Sequence, residues 1–177
     1  MKEFRLMSRP DRTDWKIIAL LNQDGRMSSA EIARQLGDVS ARTVTNRINV
    51  LTKQGIINIR SIVNPEAVGY GVLADVFIEV EPGNLRSMAE YLVDLPQISY
   101  VACATGDTDI IISVRARNIS ELYNFVIETI GKIPGVRHTR TFPLPLKLKN
   151  MATWMPPDVL EDWKHNTSKD KLHAQGK

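Results

Sequence analysis

The fold is decided first by residues 28–55, whose sequence is SSAEIARQLGDVSARTVTNRINVLTKQG. Ser28 and Glu31 have the spacing of a capping box, which predicts the start of a helix. A glycine-containing turn follows, and Ser40 is the predicted cap of a second helix that extends to about Gln54. Apolar residues recur at helical spacing in both helices, so each has one inward face. The inward residues are Ile32, Ala33 and Leu36 in the first of these helices and Val44, Ile48 and Leu51 in the second.

A helix and a short strand are predicted to flank this pair of helices. Asp11 can cap an earlier helix, and Gly25 can end it because glycine tolerates the left-handed conformation. After the pair, Ile57 and Ile59 alternate with polar residues, which predicts a short strand or wing. Two capped helices joined by a short turn, with a packing helix before them, are typical of a helix-turn-helix. We therefore expect a winged helix-turn-helix over residues 1–65.

The second part of the chain contains an internal repeat with an offset of 38 residues. Alternating apolar residues from Val72 match those from Ile110, and Pro96 matches Pro134. Each half predicts a strand, a helix and a second strand, which together give a ferredoxin-like βαββαβ arrangement. The matching helical stripes are Leu85, Met88, Ala89 and Leu92 in the first half and Tyr123, Val126, Ile127 and Ile130 in the second. The fold class is therefore α+β.

A ferredoxin-like sheet carries helices on one face only, so its other face needs a cover. The simplest cover is a second copy of the same sheet, which predicts a homodimer. We assign Val76 and Ile112 to the open face, where an introduced charge would prevent association. The predicted domains are the helix-turn-helix over 1–65, the repeat domain over 66–149 and a C-terminal tail over 150–177.

Several classes of protein are disfavoured by composition. Cys103 is the single cysteine, so an internal disulfide is excluded and a reducing compartment is favoured. No apolar run has the length of a membrane span, and the start lacks the apolar run of a secretory signal. The three histidines are scattered without metal-ligand spacing, and no nucleophile constellation or glycine-rich phosphate loop is visible. We expect a cytoplasmic protein that is not an enzyme and has no cofactor, metal or membrane partner.

The third helix carries the features expected of a DNA-binding element. Residues 1–65 contain 11 Lys and Arg against 6 Asp and Glu, and no acidic residue lies between Val39 and Gly55. In a helix-turn-helix the N-terminal part of the second helix contacts base edges, and later basic residues neutralise phosphates. We therefore expect double-stranded DNA as a partner, with Arg47 and Lys53 on phosphates. The predicted DNA-contacting residues are Ser40, Ala41, Arg42, Thr43, Thr45, Asn46, Arg47 and Lys53.

These fragments resemble the Lrp/AsnC (feast/famine) regulators. The N-terminal resemblance rests on Asp11-x-x-Asp14-x-x-Ile17, Glu31-Ile32-Ala33 and Gly55-Ile56-Ile57, and the C-terminal one on Gly106-Asp107-Thr108-Asp109 and Pro134-Gly135-Val136. The resemblance covers about residues 11–149. It implies a transcriptional regulator whose C-terminal (RAM) domains pair into dimers, often assembled into tetramers or octamers, and which in many members responds to amino acids. The tail beyond Lys149 is longer than the usual ending of the family.

The segment Thr105-Gly106-Asp107-Thr108-Asp109 has two interpretations. A hairpin turn would explain its glycine and its capping aspartate. In the resembled family this turn lies where dimers meet and effectors bind. We therefore expect it to form half of a small-molecule site, completed by Thr139-Arg140-Thr141 or by a neighbouring dimer. Asp107 or Asp109 would pair with an ammonium group there. The predicted effector-binding residues are Thr105, Gly106, Asp107, Thr108, Asp109, Thr139, Arg140 and Thr141.

Two other functions are compatible with a two-part layout of this kind. One is a small-molecule sensor that acts on another protein and uses its helix-turn-helix only for protein contacts. The other is an enzyme, because sirohaem decarboxylases resemble this layout. Those enzymes are expected to carry a His-Asn-Tyr-x-Arg-like segment where this chain has Ser99-Tyr100-Val101-Ala102-Cys103.

Overall fold

A computed structural model describes residues 9–149, 154–157 and 159. The chain contains two compact units that divide between Ser61 and Ile62, and the second unit ends at Leu148. The predicted boundary after residue 65 therefore lies four residues into the second unit. Most of the predicted tail, 150–177, lies outside the described residues.

Residues 9–61 of the first unit contain three helices: α1 (Arg12–Gln23), α2 (Ser29–Leu36) and α3 (Ala41–Lys53). Asp11, Ser28 and Ser40 each cap the following helix by accepting a hydrogen bond from a backbone N–H three residues later. Gly37 adopts φ +78° at the turn between α2 and α3, a conformation that costs other residues strain. The core is formed by Ile17, Leu20, Ile32, Ala33 and Val44.

Two local expectations for this unit are wrong. α1 ends at Gln23, the following residue Asp24 is extended with φ −142°, and Gly25 does not adopt a positive φ. Residues 57–61 form no strand, and Ile59 is 47% exposed. A strand needs a hydrogen-bonding partner, and no other described residue of this unit lies in a strand.

The second unit is a four-stranded antiparallel sheet with helices on one face. After a 3₁₀ turn (Glu66–Val68) its elements are β1 (Val72–Val80), α4 (Leu85–Val93), β2 (Ile98–Cys103), β3 (Ile110–Ala116), α5 (Ile119–Asn124) and β4 (Val136–Pro143). A π-helical turn, Phe125–Ile130, continues α5. The strand order is β2-β3-β1-β4, which confirms the ferredoxin-like βαββαβ prediction.

The assignment of residues to the two sheet faces needs correction. Val76 and Ile112 are fully buried in one core cluster with residues of α4 and α5, so they do not lie on the open face. Strand alternation places Leu73, Phe77 and Ile111 on the opposite, open face instead. Phe142 of β4 lies on that face 50% exposed, with its ring centroid 5.2 Å from that of Phe77.

The repeat is visible in the pairing of the two central strands. Asp75 lies opposite Ser113, its equivalent 38 residues later, and the Ser113 hydroxyl donates to Asp75 Oδ1 at 2.6 Å. The repeat nevertheless mispredicts the second helix, because Tyr123 is 64% exposed there. The residues that pack inward are Leu122, Phe125, Val126 and Ile130, so the apolar face begins one position before the one that the repeat implies.

Candidate functional sites

Five exposed polar side chains of α3 form one stripe opposite its buried face. Arg42, Thr45, Asn46, Asn49 and Lys53 are exposed and recur at intervals of three or four residues, so they lie along one side of the helix. Val44 and Leu51 are buried on the other side. Asn49 is absent from the predicted DNA-contacting set. Its position two turns after Arg42 is the signal that identifies it.

Three of the predicted DNA-contacting residues belong to the start of α3. Ser40 Oγ accepts from the Thr43 backbone N–H at 3.1 Å, and the two hydroxyl oxygens are 2.9 Å apart. Ala41 is half-buried, and its carbonyl accepts from the Thr45 hydroxyl at 3.0 Å. Ser40 and Thr43 therefore fix where the helix begins, which determines where its exposed stripe points.

Arg47 joins α3 to the start of α1. Its Nη1 donates to Asp11 Oδ2 at 2.7 Å and to Asp14 Oδ1 at 2.8 Å. The side-chain hydrogen bonds to Asp11 and Asp14 raise the pKa of Arg47, and the Asp14 backbone N–H, followed by Arg47, lowers the pKa of Asp11. We expected Arg47 to neutralise a phosphate; in the structure its guanidinium has two carboxylate partners, which link α3 to the start of α1.

The turn between β2 and β3 is held in place by two of its own side chains. Asp109 Oδ2 accepts from the Val80 backbone N–H at 2.8 Å, and the Thr108 hydroxyl donates to the Ile78 carbonyl at 3.1 Å. Gly106, at φ +120°, lies at the exposed tip, in a conformation that favours glycine. The Asp109 carboxylate therefore helps to hold the turn against β1.

The structure brings one residue of β4 to this turn and separates two others from it. Arg140 Nη2 donates to the Asp107 carbonyl at 3.1 Å, and the Asp107 side chain is exposed beside it. Thr139 and Thr141 alternate with Arg140 along β4, so they point to the sheet face that carries the helices. Of the predicted effector residues, Arg140 is thus joined to the turn through the Asp107 backbone, and its Nη2 also lies 4.0 Å from Glu79 Oε1. Thr105, Gly106 and Asp107 are exposed at the same turn.

Comparison with known proteins agrees with both units. Residues 73–150 match the family model described as the Lrp/AsnC ligand binding domain, and residues 10–58 match a winged helix-turn-helix DNA-binding model. An uncharacterised HTH-type transcriptional regulator of Pyrococcus abyssi is 38% identical over 132 residues, which are 74% of this chain and 83% of the relative. The chain belongs to the Lrp/AsnC family of transcriptional regulators. The resemblance inferred from its motifs is therefore confirmed.

Further relatives support the same family and fold for this Lrp/AsnC regulator. The HTH-type transcriptional regulator FL11 of Pyrococcus furiosus is 37% identical over 147 residues, covering 82% of this chain and 95% of the relative. The structure of E. coli AsnC superimposes with a TM-score of 0.72 at 28% identity, over 84% of this chain and 97% of that one. A regulator from Neisseria meningitidis in complex with L-Met shares the fold, with a TM-score of 0.76 at 23% identity over 85% and 99% of the two chains.

The comparisons also bear on the alternative functions. The matched relatives carry names of transcriptional regulators, and no enzyme is among these names. Within the described residues, no helix has both the length and the apolar character that a membrane crossing requires.

Proposed function

We propose that this Lrp/AsnC regulator binds operator DNA as a homodimer that places two copies of α3 in the major groove. The observation that carries the proposal is the exposed stripe of α3, which contains arginine, asparagine and lysine and no acidic residue. Arginine pairs bidentately with guanine and asparagine with adenine. Arg42 and Asn46, near the start of the helix, would contact base edges, and Lys53 would contact a phosphate.

The open face of the sheet supports the homodimer. Leu73, Phe77 and Ile111 are only half-buried there, and Phe142 is 50% exposed. Burial of these side chains against a second copy of the same face would remove their apolar surface from water. Two-fold pairing would present the two α3 helices to half-sites one helical turn of DNA apart, or a multiple of it.

The DNA proposal is tested by fluorescence anisotropy on a selected operator and on single-base variants of it. Arg42→Ala and Asn46→Ala should each cost about 1–3 kcal/mol of binding free energy and relax the preference at one base pair. Lys53→Ala should weaken binding to all DNA sequences alike and reduce the slope of log affinity against log salt concentration by about 1. Arg26→Ala is the matched control, since that side chain is 96% exposed outside the stripe. Unchanged base preference in both Arg42→Ala and Asn46→Ala would refute this assignment of contacts.

We further propose that an amino acid binds at the turn of residues 105–109. Asp107 would pair with its ammonium group, and Arg140 with its carboxylate. The exposed Asp107 side chain and the nearby Arg140 guanidinium support this charge pairing. Binding at this turn between dimers would favour one assembly over another by no more than the ligand's differential affinity for the two.

Calorimetry against the common amino acids tests the effector site. At least one amino acid should bind, and Asp107→Asn should weaken that binding without changing DNA affinity in the absence of ligand. Asp94→Asn is the control, since Asp94 is another exposed aspartate, at the end of α4. If no amino acid binds at millimolar concentration, or if Asp107→Asn binds as tightly as the native chain, the segment is a hairpin turn without an effector role.

A further inference from the structure

A second cleft lies in the C-terminal unit, separate from the turn of residues 105–109. It has a volume of about 400 Å³ and is formed by residues 63–70, the residues before β2 and the end of β3. This volume lies in the range of small-molecule sites. Its apolar lining residues are Val63, Pro65, Val68 and Pro96. The cleft is therefore suited to a ligand with an apolar body.

The cleft is also lined by two arginines and one glutamate, Arg115, Arg117 and Glu121. Arg117 Nη2 donates to the Tyr70 hydroxyl at 3.0 Å, and the guanidinium carbon of Arg117 lies 4.9 Å from the centre of the Tyr70 ring. Glu121 Oε2 accepts from the Arg117 backbone N–H at 2.8 Å, and Oε1 lies 3.9 Å from Arg117 Nη1. The Glu121 charge is thus associated with Arg117, which leaves the charge of Arg115 uncompensated in this cleft.

Arg115 also has an unsatisfied donor. Its backbone N–H donates to the Gln97 carbonyl at 2.8 Å, which fixes the residue beside the cleft. Its Nε is buried and has no hydrogen-bond partner. Among the described residues, no other buried side-chain nitrogen or oxygen lacks a partner. Buried donors are almost always satisfied in folded proteins, so an orphaned guanidinium nitrogen beside a cleft indicates a missing acceptor.

We propose that this cleft binds a monocarboxylate with an apolar body. The carboxylate pairs with the Arg115 guanidinium, and the apolar part of the ligand packs against the valines and prolines that line the cleft. Planar carboxylates match the donor geometry of arginine. The single negative charge of a monocarboxylate balances the one uncompensated positive charge of the cleft. A phosphate dianion would bring a second negative charge without a partner, and it has no apolar part to contact the valines and prolines. The bound ligand would connect residues 63–70 to β3.

The proposal is tested on the full chain with 4-methyl-2-oxopentanoate as the probe. Calorimetry should show saturable binding of this acid and none of 3-methyl-1-butanol or acetate, which lack the carboxylate and the branched body respectively. Arg115→Met should raise the Kd by about tenfold or more, since it removes a charge-assisted pair. Arg86→Met is the control and should leave the Kd unchanged, because that arginine is 92% exposed on α4.

Two further measurements keep the test decisive. Gln97→Glu is nearly isosteric and places a carboxylate beside Arg115, so it should weaken binding even if Arg115→Met fails to fold. The probe should slow hydrogen exchange in residues 63–70, and Asp107→Asn should not alter its binding, which separates this site from the proposed effector turn. The proposal is overturned if the probe does not bind, if Gln97→Glu binds it with native affinity, or if Arg115→Met changes only the association of two copies.

Discussion

Replacement of Arg47 by methionine would distinguish a positioning role from a phosphate contact. The change removes two charge-assisted hydrogen bonds, to Asp11 and to Asp14, and keeps most of the aliphatic stem. Protected bonds of this kind contribute about 1.5–3 kcal/mol, and exposed ion pairs about 0.2–1 kcal/mol. Asp14 is 16% exposed and Asp11 is 54% exposed, so one bond is close to the protected range and the other lies in the exposed range. Together they give about 2 kcal/mol.

Thermal unfolding and DNA titration measure the two outcomes. In a unit of this size, 2 kcal/mol lowers the midpoint of unfolding by roughly 10 °C. Arg26→Met is the control, because its ion pair with Asp24 is long, 3.9 Å, and exposed. The salt slope of DNA binding should stay the same, since Arg47 faces carboxylates. If the midpoint is unchanged and the slope falls by about 1, Arg47 contacts a phosphate and the positioning role is refuted.

The same ion pair predicts a pH dependence. The pKa of Asp11 is lowered in the folded state, first by the Asp14 backbone N–H and then by Arg47. A lowered carboxyl pKa contributes stability that is present above the unfolded value and is lost as the pH falls through the folded value. The stability difference between the native chain and Arg47→Met should therefore be constant near neutral pH and shrink below about pH 4. A difference that stays constant through acid pH would contradict the role of the carboxylates.

Three further predictions concern the C-terminal unit. Size-exclusion chromatography should show that Ile111→Asp is a folded monomer. Circular dichroism should show that Val76→Asp is unfolded, because this change buries a charge without a partner. A dimeric Ile111→Asp would exclude the open face as the interface. Asp109→Ala should cost about 1–3 kcal/mol by leaving a β1 amide unsatisfied, and native stability would contradict this. In denaturant unfolding, Tyr123→Ser should change the free energy of unfolding by less than about 0.5 kcal/mol, whereas Leu122→Ala should lower it by about 2–5 kcal/mol. The reverse order would contradict the observed inward face of α5.

The helix starts were predictable because capping depends on neighbouring residues. Asp11, Ser28 and Ser40 each satisfy a backbone N–H three residues later, so the signal is local in sequence. The alternation of apolar and polar residues in the strands was also predictable, because this signal too is local in sequence. Which face of the sheet the helices cover is not a local property, but Asp75 and Glu79 alternate with the apolar residues of β1 and mark the open side. Because Val76 alternates with these two acids, it belongs to the buried face.

The candidate sites were less predictable because they depend on contacts distant in sequence. Arg47 meets Asp11 across 36 residues, and no pattern around Arg47 indicates that pairing. Likewise, Asp109 and Asp107 look equivalent in the sequence, yet the first bonds a backbone amide of β1 and the second is exposed. Charge type and spacing therefore identify the elements that carry function, and the packing of elements decides which charges remain available.

The contact between Asp75 and Ser113 bears on how such a repeat can arise. These equivalent positions face each other at the centre of the sheet, so the approximate two-fold axis of the repeat passes between them. Two separate, identical half-chains would place two identical residues on that axis, either serine against serine or aspartate against aspartate, and like charges directly opposite are destabilising. An aspartate paired with a serine requires halves that differ in sequence. Fusion of the halves into one chain makes that divergence possible, and with it a hydrogen bond that a symmetric ancestor could not form.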